Sequence, residues 1–160
     1  MGLLNIDKPT VFRSFDMNIP GWDFFIQHAN YARNSGGNMI RIFDSYYFVV
    51  QVFDNDIAKT IHGYKDFYNK INENHDRGIQ ARPVFLISYF NDVENLGKHE
   101  DGFDQFFWNC IGHTTWEFEQ EDGSIEKYIL NPGDLMAIPA GVYHKVTSVT
   151  PRAGMTFSSN

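Results

Sequence analysis

The chain has 160 residues, the length of one domain, with no room for a second independent core. Apolar residues make up 42 %, charged residues 21 % and aromatics 16 %, which excludes a disordered chain. Thirteen basic against twenty acidic residues give a net charge of −7, which argues against a nucleic-acid binder held by bulk electrostatics.

Residues 21–34 read as a helix: Trp22, Phe25, Ala29 and Ala32 fall at helical spacing, and Gly36-Gly37 stops the chain. Residues 39–53 read as one or two strands, broken near Asp44-Ser45. Residues 56–73 read as a second helix, with Ile57, Ile61, Tyr64, Tyr68 and Ile71 along one face. The character changes near residue 77. Beyond it the candidate strands are 81–90, 103–111, 113–119, 124–130, 134–138, 143–149 and 153–158, with turn chemistry between them. Short, closely spaced strands point to a sandwich or barrel, and two helices on one outer face would complete it.

Cys110 is the one cysteine, so no internal disulfide and no Cys-rich zinc site can form, which fits a reducing compartment. No apolar run approaches the roughly 20 residues of a membrane helix. The start, Met1 to Pro9, lacks the pattern of a signal peptide. A cytoplasmic protein without membrane contact is expected. Phosphate loops, dinucleotide fingerprints and nucleophile elbows are absent from the sequence, and Cys110 has no neighbouring base.

Two segments carry chemistry. Gly133-Asp-Leu-Met-Ala-Ile-Pro139-Ala-Gly141-Val-Tyr-His144 is a strand between two tight turns, and His144 opens the next strand. His99-Glu100-Asp101 lies upstream. On an extended strand His99 and Asp101 would share one side and reach one ion together. Two His and one carboxylate form the facial triad of non-haem Fe(II) oxygenases. Continued alternation puts Gln105, Phe107 and Asn109 on the side of His99 and Asp101, and Phe106, Trp108 and Cys110 on the other. Glu100 points away. Asp104 reads as a surface or turn residue at the start of a strand, its other readings being a fourth acidic ligand or an acceptor for a ligand His. His28, His62, His75 and His113 read as surface histidines.

The Gly133–His144 segment resembles the second motif of the cupin superfamily at every fixed position, with Ser148 where the family has an Asn. His99-Glu-Asp101 with the segment through Trp116 resembles the metal strand of JmjC-like cupin oxygenases. The resemblance covers residues 80–158. It implies a mainly β, double-stranded β-helix (jelly roll), a single cupin domain over 1–160 with N-terminal helices packed outside the barrel. It implies a metal at His99, Asp101 and His144: Fe(II), with Mn, Ni or Zn possible in purified protein. It further implies a 2-oxoglutarate cosubstrate and hydroxylation of a small-molecule or peptide substrate. JmjC-like enzymes bind the far carboxylate of that cosubstrate with a Lys or Arg where this chain has Thr114, Thr115 and Trp116. Other oxygenases of this barrel use an Arg on the last strand. Arg152, eight residues after His144, stands near that place, with Thr114, Gln105 and Tyr89 as further polar contacts. The missing basic residue also keeps open a non-oxidative metal-binding cupin, acting as a small-ligand or accessory module. A cupin isomerase or lyase fits less well, because those sites use His where Asp101 stands. A homodimer through jelly-roll edges is expected.

Overall fold

The computed structural model describes residues 6–34, 39–43, 47–51, 64–75, 78–80 and 83–159. In chain order the elements are β1 (Thr10–Phe12), α1 (Trp22–Asn34), β2 (Met39–Phe43), β3 (Tyr47–Gln51) and α2 (Tyr64–Asn72). There follow β4 (Val84–Ser88), β5 (Val93–His99), β6 (Gln105–Ile111), β7 (Thr114–Glu119), β8 (Ile125–Leu130), β9 (Leu135–Ile138), β10 (His144–Ser148) and β11 (Arg152–Ser158). Among the described residues, no helix is long and apolar enough to cross a membrane.

Two antiparallel sheets face each other. The larger runs β1-β9-β6-β11-β4-β3-β2 and the smaller β5-β10-β7-β8. The expected jelly roll is therefore present, and the expected strands of the second half each have a counterpart. The first 77 residues do more than cover the barrel. β1 pairs with β9, and β2 and β3 extend the larger sheet beyond β4.

Strand alternation divides the core into two. On β6, Phe106, Trp108 and Cys110 face outward while Phe107 faces the barrel, as the sequence parity requires. On β11, Ala153, Met155 and Phe157 share the outer side. The helices bury that outer face. Phe25 of α1 meets Phe85 edge-on at 5.7 Å between centroids, and Phe67 of α2 stacks on Trp108 at 3.9 Å. All four rings are fully buried, and each contributes about 1.5–3 kcal/mol of transfer free energy. Of the residues read onto the α2 face, Tyr68 and Ile71 pack against this core, Ile57 and Ile61 lie outside the described residues, and Phe67 adds a fully buried ring.

The second core fills the barrel. Phe107, Trp116, Phe118, Leu130, Met136, Ile138 and Val146 are its buried members. β7 shows why the strand forms here: Thr114, Trp116 and Phe118 are buried, while Thr115, Glu117 and Glu119 face out. Outside, Glu117 pairs with Lys127 at 2.6 Å and Lys145 with Glu94 at 2.7 Å, a cross-strand charge ladder on a wet face.

Candidate metal centre

β5, which the sequence reading missed, positions His99. Asn95 lies opposite Val146, so an unbroken ladder would place Gly97 opposite His144. Leu96 (φ 59°) and Gly97 (φ 70°) instead bulge in the left-handed region, and His99 arrives opposite His144. The bulge also supplies an acceptor, since His99 Nδ1 lies 3.1 Å from the Gly97 carbonyl oxygen. His144 repeats the arrangement with the Val142 carbonyl at 3.0 Å. A carbonyl only accepts, so each Nδ1 carries a hydrogen, and Nε2 is the nitrogen that a neutral ring would offer to a metal.

Asp101 completes the group. The expectation of an extended His-x-Asp strand needs correction: β5 ends at His99, and Asp101 sits in the following loop. That loop is tied to the one before β10, because Gly141 N–H donates to the Asp101 carbonyl at 2.8 Å. Gly141 has φ +76°, which explains the glycine at this motif position. The Asp101 carboxylate Oδ2 lies 3.7 Å from His144 Nε2, and one ligand atom from each of the three residues falls within 4.8 Å of the others. Metal bonds of about 2.1 Å place neighbouring ligand atoms about 3 Å apart, so small side-chain rotations close the group around an ion. Two imidazoles, each anchored through Nδ1, plus one carboxylate, are a donor set that fits a divalent metal.

His144 is 3 % exposed, and its pKa lies below the usual histidine value, through burial and the nearby His99. Asp101 is partly exposed, so the group is closed toward the barrel and open toward solvent. Trp116 stacks against His144 at 5.6 Å between centroids and 29°. Phe107 lies 5.1 Å from Trp116, and the Arg152 guanidinium lies 5.4 Å from the Phe107 ring centre. Gly154 makes this possible, because a Cβ there would strike the Phe107 ring.

Arg152 begins the last strand as expected, and it is fully buried. It pairs with Ser88 in register and shares the inner side with Gly154. Thr114 is also buried inside, and its Oγ1 accepts the Trp116 indole N–H at 3.1 Å. Gln105 sits at the metal end of β6, where its Oε1 accepts from Ser158 Oγ at 3.4 Å. Tyr89 is not brought to the site. It follows Ser88 on the opposite parity, is 41 % exposed, and stacks on Trp22 of α1 at 5.7 Å.

Other residues need correction. Asp104 is no surface residue: its Oδ1 accepts the Ala140 amide at 3.0 Å, and its Oδ2 lies 3.3 Å from Nε2 of a buried His75. It braces the 139–141 turn. His28 is half-buried between Phe24 and Phe85. His62 lies outside the described residues, and His113 is exposed as read. Ser148, at the cupin Asn position, is buried opposite Thr114. The sequence reading treats Trp116 only as the end of the motif segment and a position without a basic residue, and takes Asn109 no further than its side of the strand. Asn109 is fully buried on the inner parity, with Nδ2 donating to the Gly112 carbonyl at 2.8 Å and Oδ1 without a hydrogen-bond partner among the described residues. Burial pushes the Cys110 thiol well above its ordinary pKa, in keeping with an inert core cysteine.

No family model matches the chain. No curated protein matches it either. Solved structures do. YcfD from E. coli superimposes with a TM-score of 0.70 at 17 % identity, over 96 % of this chain and 50 % of that one. A structure of YcfD, described as a ribosomal oxygenase in complex with cobalt and 2-oxoglutarate, gives 0.64 at 17 % identity, over 96 % and 48 %. Oxalate decarboxylase from Bacillus subtilis, studied for its Mn(II) centres, gives 0.54 at 10 % identity, over 78 % and 28 %. The chain thus spans about half the length of YcfD and less of the decarboxylase. These likenesses and the two facing antiparallel sheets establish that the chain has the double-stranded β-helix fold of the cupins.

Proposed function

We propose that the chain is a metal-dependent cupin enzyme, an Fe(II)- and 2-oxoglutarate-dependent oxygenase. One observation carries this reading. A buried arginine and a two-His, one-carboxylate group lie along one barrel interior, joined by the wall of Phe107 and Trp116. An acid held at one end by a metal needs a cation at the other, since a buried carboxylate without one is costly. Arg152 meets that need from β11, where JmjC-like enzymes use the strand position taken here by Thr114.

When bound, Fe(II) would supply the oxidation: O2 is reduced, one of its oxygen atoms entering 2-oxoglutarate as it loses CO2 to become succinate, and the other entering the substrate. The chain's own residues do the rest. His99, Asp101 and His144 hold the ion on one side. Arg152 binds the far carboxylate of the cosubstrate, and Phe107, Trp116 and Phe118 keep water from the interior. The partly exposed Asp101 side is where a substrate would approach. Mn, Ni or Zn could take the same donors in purified protein. The YcfD structures with cobalt and 2-oxoglutarate, and with cobalt and succinic acid, support the pairing of this fold with that chemistry.

Purified protein, loaded anaerobically with Fe(II) and then given O2 and 2-oxoglutarate, should release succinate, slowly without substrate. Metal bound one to one with neither succinate release nor 2-oxoglutarate binding at millimolar concentration would refute the oxygenase. A second reading rests on the same aromatic wall. Phe107, Trp116 and Phe118 fill the barrel, which suits a short acid such as the oxalate of the neighbouring decarboxylase. In that case the metal would bind a small ligand without oxidising it.

A further inference from the structure

Two buried residues on β7 take on a role once an acid is placed between the metal group and Arg152. The Trp116 indole lies between these ends. It stacks on His144 at 5.6 Å and meets Phe107 at 5.1 Å, and Phe107 carries the Arg152 guanidinium at 5.4 Å. Its orientation is pinned. Nε1–H donates to Thr114 Oγ1 at 3.1 Å, and both residues are buried on the inner side of β7. Trp108, buried in the outer core, has no such hold: its Nε1–H is without a hydrogen-bond partner among the described residues.

We infer that Trp116, held by Thr114, is a specificity-determining residue that sets the length of the acid spanning the metal group and Arg152. This rests on the oxygenase reading, because it needs an acid anchored at both ends. The carbon chain between fixed ends must run along the indole and the Phe107 ring. A close-packed aromatic wall admits one length and rejects a longer homologue by overpacking. Thr114 thereby fills the JmjC cation position with a different task. It orients the gauge, while β11 supplies the charge.

The experiment is a binding titration. Protein loaded anaerobically with Fe(II) is titrated with 2-oxoglutarate and, separately, with 2-oxoadipate, one methylene longer. The visible absorption of the chelated 2-oxo acid gives both dissociation constants. Wild type should favour 2-oxoglutarate by about tenfold or more, the discrimination expected for one methylene in a tight apolar site. Trp116→Leu should bring the two constants within about threefold or reverse their order, by opening one methylene of space. Trp116→Phe and Thr114→Val should shift the ratio the same way by less, the first by shortening the wall and the second by releasing it. Co(II) stoichiometry and the thermal midpoint establish which variants are folded and hold metal, and the two milder variants decide the matter if Trp116→Leu does not fold. An unchanged ratio in the folded, metal-bound variants would overturn the gauge while leaving the oxygenase reading standing. Absence of absorption with either acid in wild type would overturn both.

Discussion

The two faces of the larger sheet are built from one set of strands and do opposite work. The outer face, under α1 and α2, buries Phe25, Phe67, Phe85, Phe106, Trp108, Met155 and Phe157. The inner face and the strands opposite it bury Ser88, Asn109, Thr114, His144, Ser148 and Arg152 among their rings. Buried polar groups are costly, and a fold that only needed stability would place apolar residues there. The contrast places the buried polar and candidate metal-ligating groups inside the barrel and the helices over its apolar outer face.

Substitutions that separate stability from metal binding break or sharpen this contrast. The largest expected effect lies outside. Trp108→Ala removes a fully buried indole stacked on Phe67, and should cost about 3–5 kcal/mol in chemical denaturation. Metal stoichiometry of the folded fraction should stay at that of wild type. Loss of metal at a small stability cost would mean the outer core is coupled to the site. Inside, His144→Ala should weaken Co(II) binding by about a hundredfold or more, as loss of a ligand does. Unaltered affinity by calorimetry would remove His144 from the site.

A smaller effect concerns the turn that launches β9 toward His144. Asp134 accepts the Ser14 and Asn131 amides at 2.9 Å and pairs with Arg13 at 2.6 Å. Burial alone raises its pKa, but these amides and the guanidinium outweigh burial and hold it below the ordinary range. The unfolded state therefore binds the proton first. The stabilisation is complete above the unfolded value of about 3.9 and is lost as pH falls through the lower folded value. Asp134→Ala should cost about 2 kcal/mol at neutral pH and flatten the acid limb of stability. A parallel acid limb in wild type and variant would show that Asp134 is not its source. The smallest effect is at the bulge. Leu96→Gly should raise stability by about 1 kcal/mol, because Leu96 is held at φ 59°. Metal affinity should stay within about twofold, since the Gly97 acceptor remains. A destabilised variant would show that the Leu96 side chain, though 49 % exposed, packs usefully.

The same contrast explains what the sequence revealed. β7 was legible because its burial alternates with strict period, Thr114, Trp116 and Phe118 in, Glu117 and Glu119 out. The turns around Gly133 and Gly141 were legible because their chemistry is local. β5 was not. Asn91, Asp92 and the Leu96-Gly97 bulge break the alternation on which strand reading depends, so His99 and Asp101 appeared to lie on one strand. His28 and His75 appeared exposed because their partners, Phe85 and Asp104, are distant in sequence. Tyr89 appeared available because parity across the end of β4 was not fixed until β11 paired with it. Arg152 was placed correctly on the chain, but its burial depends on Gly154 and Phe107.

The most direct test of the central claim, that the interior joins a metal group to Arg152 through a bound acid, is one titration on two proteins. Wild type and Arg152→Met, each loaded anaerobically with Fe(II), are titrated with 2-oxoglutarate while visible absorption is recorded. The Met variant removes the cation and keeps most of the side-chain volume. Wild type should saturate, and the variant should bind metal normally while needing about a hundredfold more 2-oxoglutarate, as loss of a buried charge pair implies. Equal half-saturation in the two proteins, or metal bound in wild type with no absorption at any concentration, would contradict it.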